Sequence, residues 1–364
     1  MSRALLSLVL LLVGPTLGQD VLVHDVSAAY QGAQGSDAFS AIHHVGDGRI
    51  VAGKRSSGPA DRFLLSSDAG VTWSVVGCPG STGAHTYFIG QDGPVLLAGT
   101  GDTGAACLMR SPDKGQTWSV VATHGQLNAA LGTSNARAVF GVVALGGGHW
   151  LANVKTFDSP RKVLRSVDGG LTWFAPVAQP GLGAGSWARQ MIRTEDGLLL
   201  WPSVLTERIW RSTDDGATWA YAIVPGADLF QPLCDAGRGV VLCGEATTSP
   251  NAPIRLFRSG DRGLTWAPVV SVNLQRPSTT YWRDVTRAGH VLYASACCVE
   301  GSSTERFMQL FRSEDTGKTW TSLGNPYIGP FGGMQAIYQM CVDDRGVVFA
   351  GCQPDSTILR WRAQ

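Results

Sequence analysis

Apolar residues in this chain come in short runs separated by turns, a strand rhythm rather than a helical one. Two strand-like runs around a tight turn are followed by a third run, a short polar insert and a fourth run. The first set occupies 39–45, 49–53, 62–66 and 72–76. Five more sets follow in the same order. A further one begins at 335–342, continues at 347–351 and stops at 357–361, where Ile358-Leu359-Arg360 matches Val163-Leu164-Arg165 of the third set. It is one strand short. Residues 21–26, Val-Leu-Val-His-Asp-Val, read as the missing strand. A ring closed in this way has no free sheet edge at its seam.

The polar insert is an octapeptide that occurs six times. It reads Ser66-Ser67-Asp68-Ala69-Gly70-Val71-Thr72-Trp73 first and returns at 111–118, 166–173, 212–219, 259–266 and 313–320, always as S-x-D-x-G-x-T-W. Its aspartates are Asp68, Asp113, Asp168, Asp214, Asp261 and Asp315. A period of about 40 to 55 residues built from short strands is the sequence mark of a propeller. The Asp suits a tight turn whose N–H groups it accepts, the Gly suits a left-handed backbone, and the Trp packs between sheets. An Arg precedes five of the six inserts (Arg110, Arg165, Arg211, Arg258 and Arg312) and reads as part of the repeat.

On these residues the chain resembles the Asp-box (BNR) repeat proteins of the sialidase superfamily. The resemblance implies an all-β, seven-bladed propeller with six Asp boxes, its last blade closed by the N-terminal strand. It also implies that the box aspartates are structural and lie on the face opposite the ligand site. Sialidases of the superfamily have six blades and an Arg-Ile-Pro motif early in the first; here Phe39-Ser40-Ala41-Ile42 stands in that place. Seven-bladed Asp-box rings occur in xyloglucanases, as pairs, and in photosystem assembly factors.

The N-terminus changes where the protein is expected to work. Arg3, the apolar run 4–13, the Gly14-Pro15 break and the small residues before Gln19 form a secretory signal peptide pattern. Residues 1–18 are therefore expected to be removed near Gly18, leaving 19–364 as one propeller domain, secreted or periplasmic. The apolar run is too short to span a bilayer. With 44% hydrophobic residues, 16% charged residues and a net charge of +1, the chain is neither disordered nor an electrostatic nucleic-acid binder. It is expected to be a monomer.

Aligning the first strands of the sets places Ser40, His85, Phe140, Arg189, Gln231, Arg283 and Tyr338 at the mouth of the ring. Loops on the same face carry Lys54, Arg55, Asp61, Asp102, Lys155, Asp158, Glu207, Glu245 and Glu300, and Trp187, Tyr281 and Trp282 lie nearby. Arginines suit carboxylate or sulfate recognition through paired N–H donors, and aromatic rings suit a sugar face. The expected ligand is a glycan, acidic in character, bound by Arg189, Arg283, His85, Tyr338, Lys54, Lys155 and Trp187. The resemblance to sialidases further implies a catalytic set of Glu245, Tyr281 and Asp61, with Arg189 and Arg283 as two of the three expected arginines and Arg55 or Arg137 as the third. Three functions remain open at this level: glycan recognition, exo-acting hydrolysis or lysis of acidic sugars, and a protein-interaction scaffold. No cofactor or metal is expected. His43 and His44 are adjacent on a strand and point to opposite faces, and no zinc-type Cys/His spacing occurs.

Eight cysteines in a secreted chain suggest disulfides. Cys234–Cys243 and Cys341–Cys352 lie on paired strands, Cys78 and Cys107 belong near the second set, and Cys297-Cys298 are adjacent on what reads as a ligand-face loop.

Overall fold

The computed structural model describes residues 10–12, 21–25, 38–55, 62–83, 85–101, 105–157, 162–176, 190–203, 207–227, 230–247, 249, 251–274, 279–299, 306–324, 336–353 and 357–362. The strands form antiparallel meanders in chain order. The first consists of Ala38–Gly46, Arg49–Arg55, Phe63–Ser66 and Ser74–Val76. The same order returns over 85–122, 192–223, 230–272 and 279–324. Over 136–174 the fourth strand is reduced to a single bridge between Arg165 and Phe174. The last meander, Ala336–Val342, Val347–Gln353 and Thr357–Arg362, borrows its fourth strand from the other end of the chain. Val21–Asp25 runs antiparallel to it, with Leu22 opposite Arg360 and Asp25 opposite Thr357. Leu10–Leu12 adds a strand outside that one.

Each meander buries both faces against its neighbours, which is why its middle strands are almost uniformly apolar. Val51, Phe63 and Leu65 of the first pack on Ile89, Leu96 and Met109 of the second. Similar cores recur between later neighbours, and Phe39, Ile42, Ile50 and Leu64 of the first meander meet Val347, Phe349 and Ile358 of the last. The architecture is therefore all-β and propeller-like. Its one helix among the described residues is His124–Leu131. Thr123 and Gln126 cap it reciprocally, Gly132 ends it in the left-handed region, and Leu127 and Leu131 bury it.

The octapeptides explain much of this packing. In the fifth, Ser259 Oγ donates to Asp261 Oδ1 (2.7 Å) and accepts from Gly263 N (2.8 Å). Asp261 also accepts from Thr265 N (2.9 Å) and Thr265 Oγ1 (2.6 Å). Trp266 Nε1 donates back to Gly263 O (3.2 Å). The box glycine has a second reason to be glycine besides its positive φ. A Cβ on Gly170 would lie 2.6 Å from Leu97 Cδ1, and one on Gly317 2.9 Å from Leu242 Cδ2, both in the preceding meander. For Gly70 the neighbour is Phe349 of the last meander, 2.5 Å away. The arginines before the boxes staple consecutive turns: Arg110 Nε donates to Gly169 O (2.8 Å), Arg211 Nε to Arg262 O (3.1 Å) and Arg258 Nε to Thr316 O (3.0 Å).

The structure shows none of the expected disulfides, and all eight cysteines are buried. Strand parity is the reason. Cys234 lies opposite Leu242 and Cys243 opposite Leu233, so the two side chains enter different cores. Cys341 and Cys352 likewise face the two sides of the last meander. Cys297 and Cys298 lie within the strand Val291–Val299, not on a loop, and point into opposite cores. Cys78 and Cys107 do share one core, but the Cys107 thiol is engaged by Thr100 Oγ1 (3.1 Å) and Thr82 O (3.6 Å).

Candidate functional site

The box turns pack on the first hairpin turns: Ala69 N donates to Gly48 O and Gly169 N to Gly148 O, both at 2.8 Å. The two kinds of turn therefore share one face, and the other end of each first strand lies on the opposite face. There the pairing slips. The register shifts between Phe39 and Ala41, Thr86 and Ile89, Val139 and Gly141, Phe230 and Leu233, Trp282 and Asp284, and Ile337 and Gln339. A bulge leaves one residue out of the ladder and re-aims its side chain. Ser40, Arg283 and Tyr338 are such residues, as are Tyr87 and Phe88, and Pro232 sits in the bulge between Phe230 and Leu233.

Five of these six bulges converge on one cavity. Ser40, Tyr87, Phe88, Pro232, Arg283 and Tyr338 line it together with Gln190, Asp284 and Gln339, around about 490 Å³ of empty space that is partly open to solvent. Most of its polar groups bind neighbouring strands. Ser40 Oγ donates to Thr86 O (2.5 Å), Gln190 Oε1 accepts from Leu233 N (2.8 Å), and Gln339 Oε1 accepts from Ile42 N (3.0 Å). Asp284 Oδ2 accepts from Met340 N (2.5 Å).

Arg283 is different. Its guanidinium carbon lies 3.3 Å from the centre of the Tyr338 ring and 5.6 Å from that of Tyr281. Its Nε is buried and has no hydrogen-bond partner among the described residues. Burial works against its charge, but Tyr338, Tyr281, Cys297 and Asp284 outweigh it and hold its pKa above the usual value. The cation is thus stacked on aromatic rings rather than paired with a carboxylate. Burial pushes Asp284 up to about 7, against the N–H groups of Met340 and Val285 and the charge of Arg283. Burial also raises the Tyr281 phenol above its ordinary range.

The remaining expected site residues scatter. His85 stands beside Tyr87, with ring centres 5.6 Å apart, and Tyr87 packs edge-on against Phe140 at 4.6 Å; Lys155 lies 6.0 Å from the Phe140 ring. None of His85, Phe140 and Lys155 lines the cavity. Lys54 is fully buried. Glu245 is not a cavity residue either. Its carboxylate accepts from Arg255 Nε (2.8 Å), from Arg255 N (2.8 Å) and from a terminal guanidinium nitrogen of the same residue (2.6 Å). That bidentate pair engages both carboxylate oxygens. Asp61, Arg189 and Trp187 lie outside the described residues, as do Asp102, Asp158 and Glu300; the side chains of Arg55 and Gln231 do too. Among the described residues no cluster of His, Cys, Asp and Glu is arranged to hold a metal ion, and no helix is long and apolar enough to cross a membrane.

The alignment of first strands missed Tyr87, Phe88, Gln190, Pro232 and Gln339. A signal for some was present. Phe39 and Ile42 face one core three residues apart, as do Trp282 and Val285, and Ile337 and Met340. Same-face residues in a regular strand are two apart, so each triplet spacing marks a bulge.

Comparisons with known proteins agree with this geometry at the level of fold. Residues 310–323 match the family model of the BNR-Asp box repeat. No curated protein matches the sequence. Among solved structures, YCF48 from Cyanidioschyzon merolae is similar, with a TM-score of 0.59 and 15% identity over 93% of this chain and 98% of that one. A YCF48 structure bound to D1 peptide gives 0.62 and 14% over 94% and 97%. The GH74 xyloglucanase from Xanthomonas campestris gives 0.63 and 15% over 92% of this chain but 52% of its own. A streptogramin B lyase gives 0.64 and 10% over 94% and 98%. The chain carries a BNR-Asp box repeat, and its structural neighbours are propeller-type proteins.

Proposed function

We propose that the chain is a secreted, monomeric, seven-bladed Asp-box propeller that recognises an acidic glycan at the mouth of its ring without cleaving it. In this reading the meanders are the blades, and cleavage near Gly18 removes only the extra strand Leu10–Leu12. The observation that carries the ligand class is Arg283. It is a half-buried cation, stacked on Tyr338 and unpaired at Nε among the described residues, in a cavity that it shares with Tyr87, Phe88, Pro232 and Tyr338 and with the polar side chains of Ser40, Gln190, Asp284 and Gln339. A ring with one carboxylate suits that combination: the anion meets the guanidinium and the ring lies against Tyr87, Phe88 or Tyr338.

Binding is favoured over hydrolysis because glycosidases ordinarily need two carboxyl groups across the scissile bond. The cavity offers Asp284 alone among the described residues, and Glu245 is committed to Arg255. One observation supports a second reading, a protein-interaction scaffold: a structure of similar fold is bound to a peptide, and Arg283 suits a peptide carboxylate equally well.

The test is an immobilised panel of sialosides, uronate oligosaccharides, neutral glycans and acidic peptides, with the supernatants analysed for released sugar. Retention on acidic glycans that Arg283→Ala abolishes, with no product released, is the expected result. Release of a monosaccharide overturns the non-catalytic reading. Retention on peptides alone overturns the glycan reading.

A further inference from the structure

We propose that the mouth cavity takes up a proton together with its anionic ligand, and that Asp284 holds that proton and donates it as a hydrogen bond to the bound carboxylate. This rests on the reading of Arg283 as the anion anchor. Arg283 and Asp284 are consecutive and both line the cavity, because the bulge between Trp282 and Asp284 breaks the alternation that would send them to opposite faces. No ion pair joins them among the described residues; Arg283 stacks on Tyr338 while Asp284 turns to the amide of Met340. The cavity therefore holds one cation and one carboxyl group that do not neutralise each other by contact.

The state of Asp284 decides what an incoming carboxylate meets. With Asp284 ionised, the pair has no net charge and the ligand faces a like charge beside its anchor. With Asp284 protonated, the pair carries one positive charge, and the carboxyl O–H becomes a donor next to the guanidinium. Binding a carboxylate thus favours the protonated form, and by linkage the protonated form favours binding.

The groups around Asp284 do not titrate in its place. Its own strand contributes Arg283 and Tyr281, the strand Phe230–Gly237 contributes Cys234, and the strand Ala336–Val342 contributes Tyr338 and Cys341. Burial raises both thiols and the Tyr281 phenol far above neutrality, and Arg283 stays charged. Burial brings only the Asp284 carboxyl to about 7. A dianion such as phosphate would gain less here, since the described lining residues offer no second cation. The ligand class is therefore a monocarboxylate on a ring: a terminal uronate or sialate.

Isothermal titration calorimetry of the full mature chain tests this, with D-glucuronate and N-acetylneuraminate as probes and methyl glucuronate as the uncharged control. Titrations run from pH 5.5 to 8.5 in buffers of different ionisation heat. The expected affinity is flat in acid and falls about tenfold per pH unit above about 7, with uptake approaching one proton per ligand at the alkaline end. Asp284→Asn is expected to keep the acid-side affinity at every pH and take up no proton. The proton count comes from the unsubstituted protein, so the test survives if that variant does not fold. Arg283-dependent binding without proton uptake, or a pH slope that persists in Asp284→Asn, overturns this inference and leaves the proposed function standing. Failure of both probes to bind at any pH, or binding indifferent to Arg283→Ala, overturns the proposed function and this inference with it.

Discussion

The two ends of the first strands show opposite uses of polar side chains. At the box end most polar groups answer another by rule: Ser to Asp and Gly, Asp to Thr, four of the six Trp to Gly, and Arg to the next turn. The solution is repeated around the molecule with distances that barely change. At the mouth end the side chains change from bulge to bulge. Ser40, Tyr87, Pro232, Arg283 and Tyr338 occupy bulges of similar placement and bring a hydroxyl, two phenols, a proline ring and a guanidinium. Repetition is what a structural role produces, since each turn solves the same problem. A position that is equivalent in backbone but unique in side chain is free of that problem and open to a ligand.

The contrast can be broken at its strongest point first. Gly70→Val drives a branched side chain into Phe349 at a backbone φ of 77°. It is expected to cost about 3 kcal/mol or more, or to prevent folding, as read by urea denaturation. Asp261→Ala removes the shared acceptor of a whole turn and is expected to cost about 2–3 kcal/mol. Ligand affinity should stay unchanged, because the mouth is at the other end; a loss of binding at constant stability would contradict the separation of the two ends.

The box aspartates also predict an acid limit. In Asp168, Asp261 and Asp315 burial opposes the charge, but hydrogen bonds from the box Thr, Ser and neighbouring amides outweigh it and bring each carboxyl to about 2. Their folded values lie below the unfolded ones, so their contribution is full above pH ~4 and is lost as pH falls through about 2. Circular dichroism against pH should show stability declining between those values.

Arg283→Ala inverts the pattern: affinity for an acidic glycan should drop by about 10- to 100-fold with stability changed by about 0.5 kcal/mol or less. The smallest effect belongs to Arg258→Ala, which removes one staple to Thr316 and should cost about 1 kcal/mol. A larger loss would mean that the arginine row carries more of the ring than single hydrogen bonds suggest.

The fold was legible because its signals are local. The octapeptide sets its own turn, the runs before it set the hairpins, and the unpaired third run at 357–361 called for a strand at 21–26. The site was legible in part. Arg283 and Tyr338 were found by alignment from the hairpin glycines, but counting by twos fails across a bulge, so His85 was chosen where Tyr87 and Phe88 face the cavity. The pairing of Glu245 was not legible because nothing in its own segment shows the reach of Arg255 from the next strand. The cysteines misled for the opposite reason. Neighbours across a hairpin are close in space, yet one step of register sends Cys234 and Cys243 into separate cores, a distinction that proximity along the chain does not carry.

The seam between the ends of the chain has a consequence for synthesis. Val21–Asp25 is synthesised before the six meanders that separate it from its partner, and Thr357–Arg362 after them. Every intermediate sheet can assemble on its predecessor as it emerges, but the first meander must wait with one apolar face, Phe39, Ile42, Ile50 and Leu64, uncovered. That surface therefore stays exposed until the strands Val347–Gln353 and Thr357–Arg362 have been synthesised and can cover it.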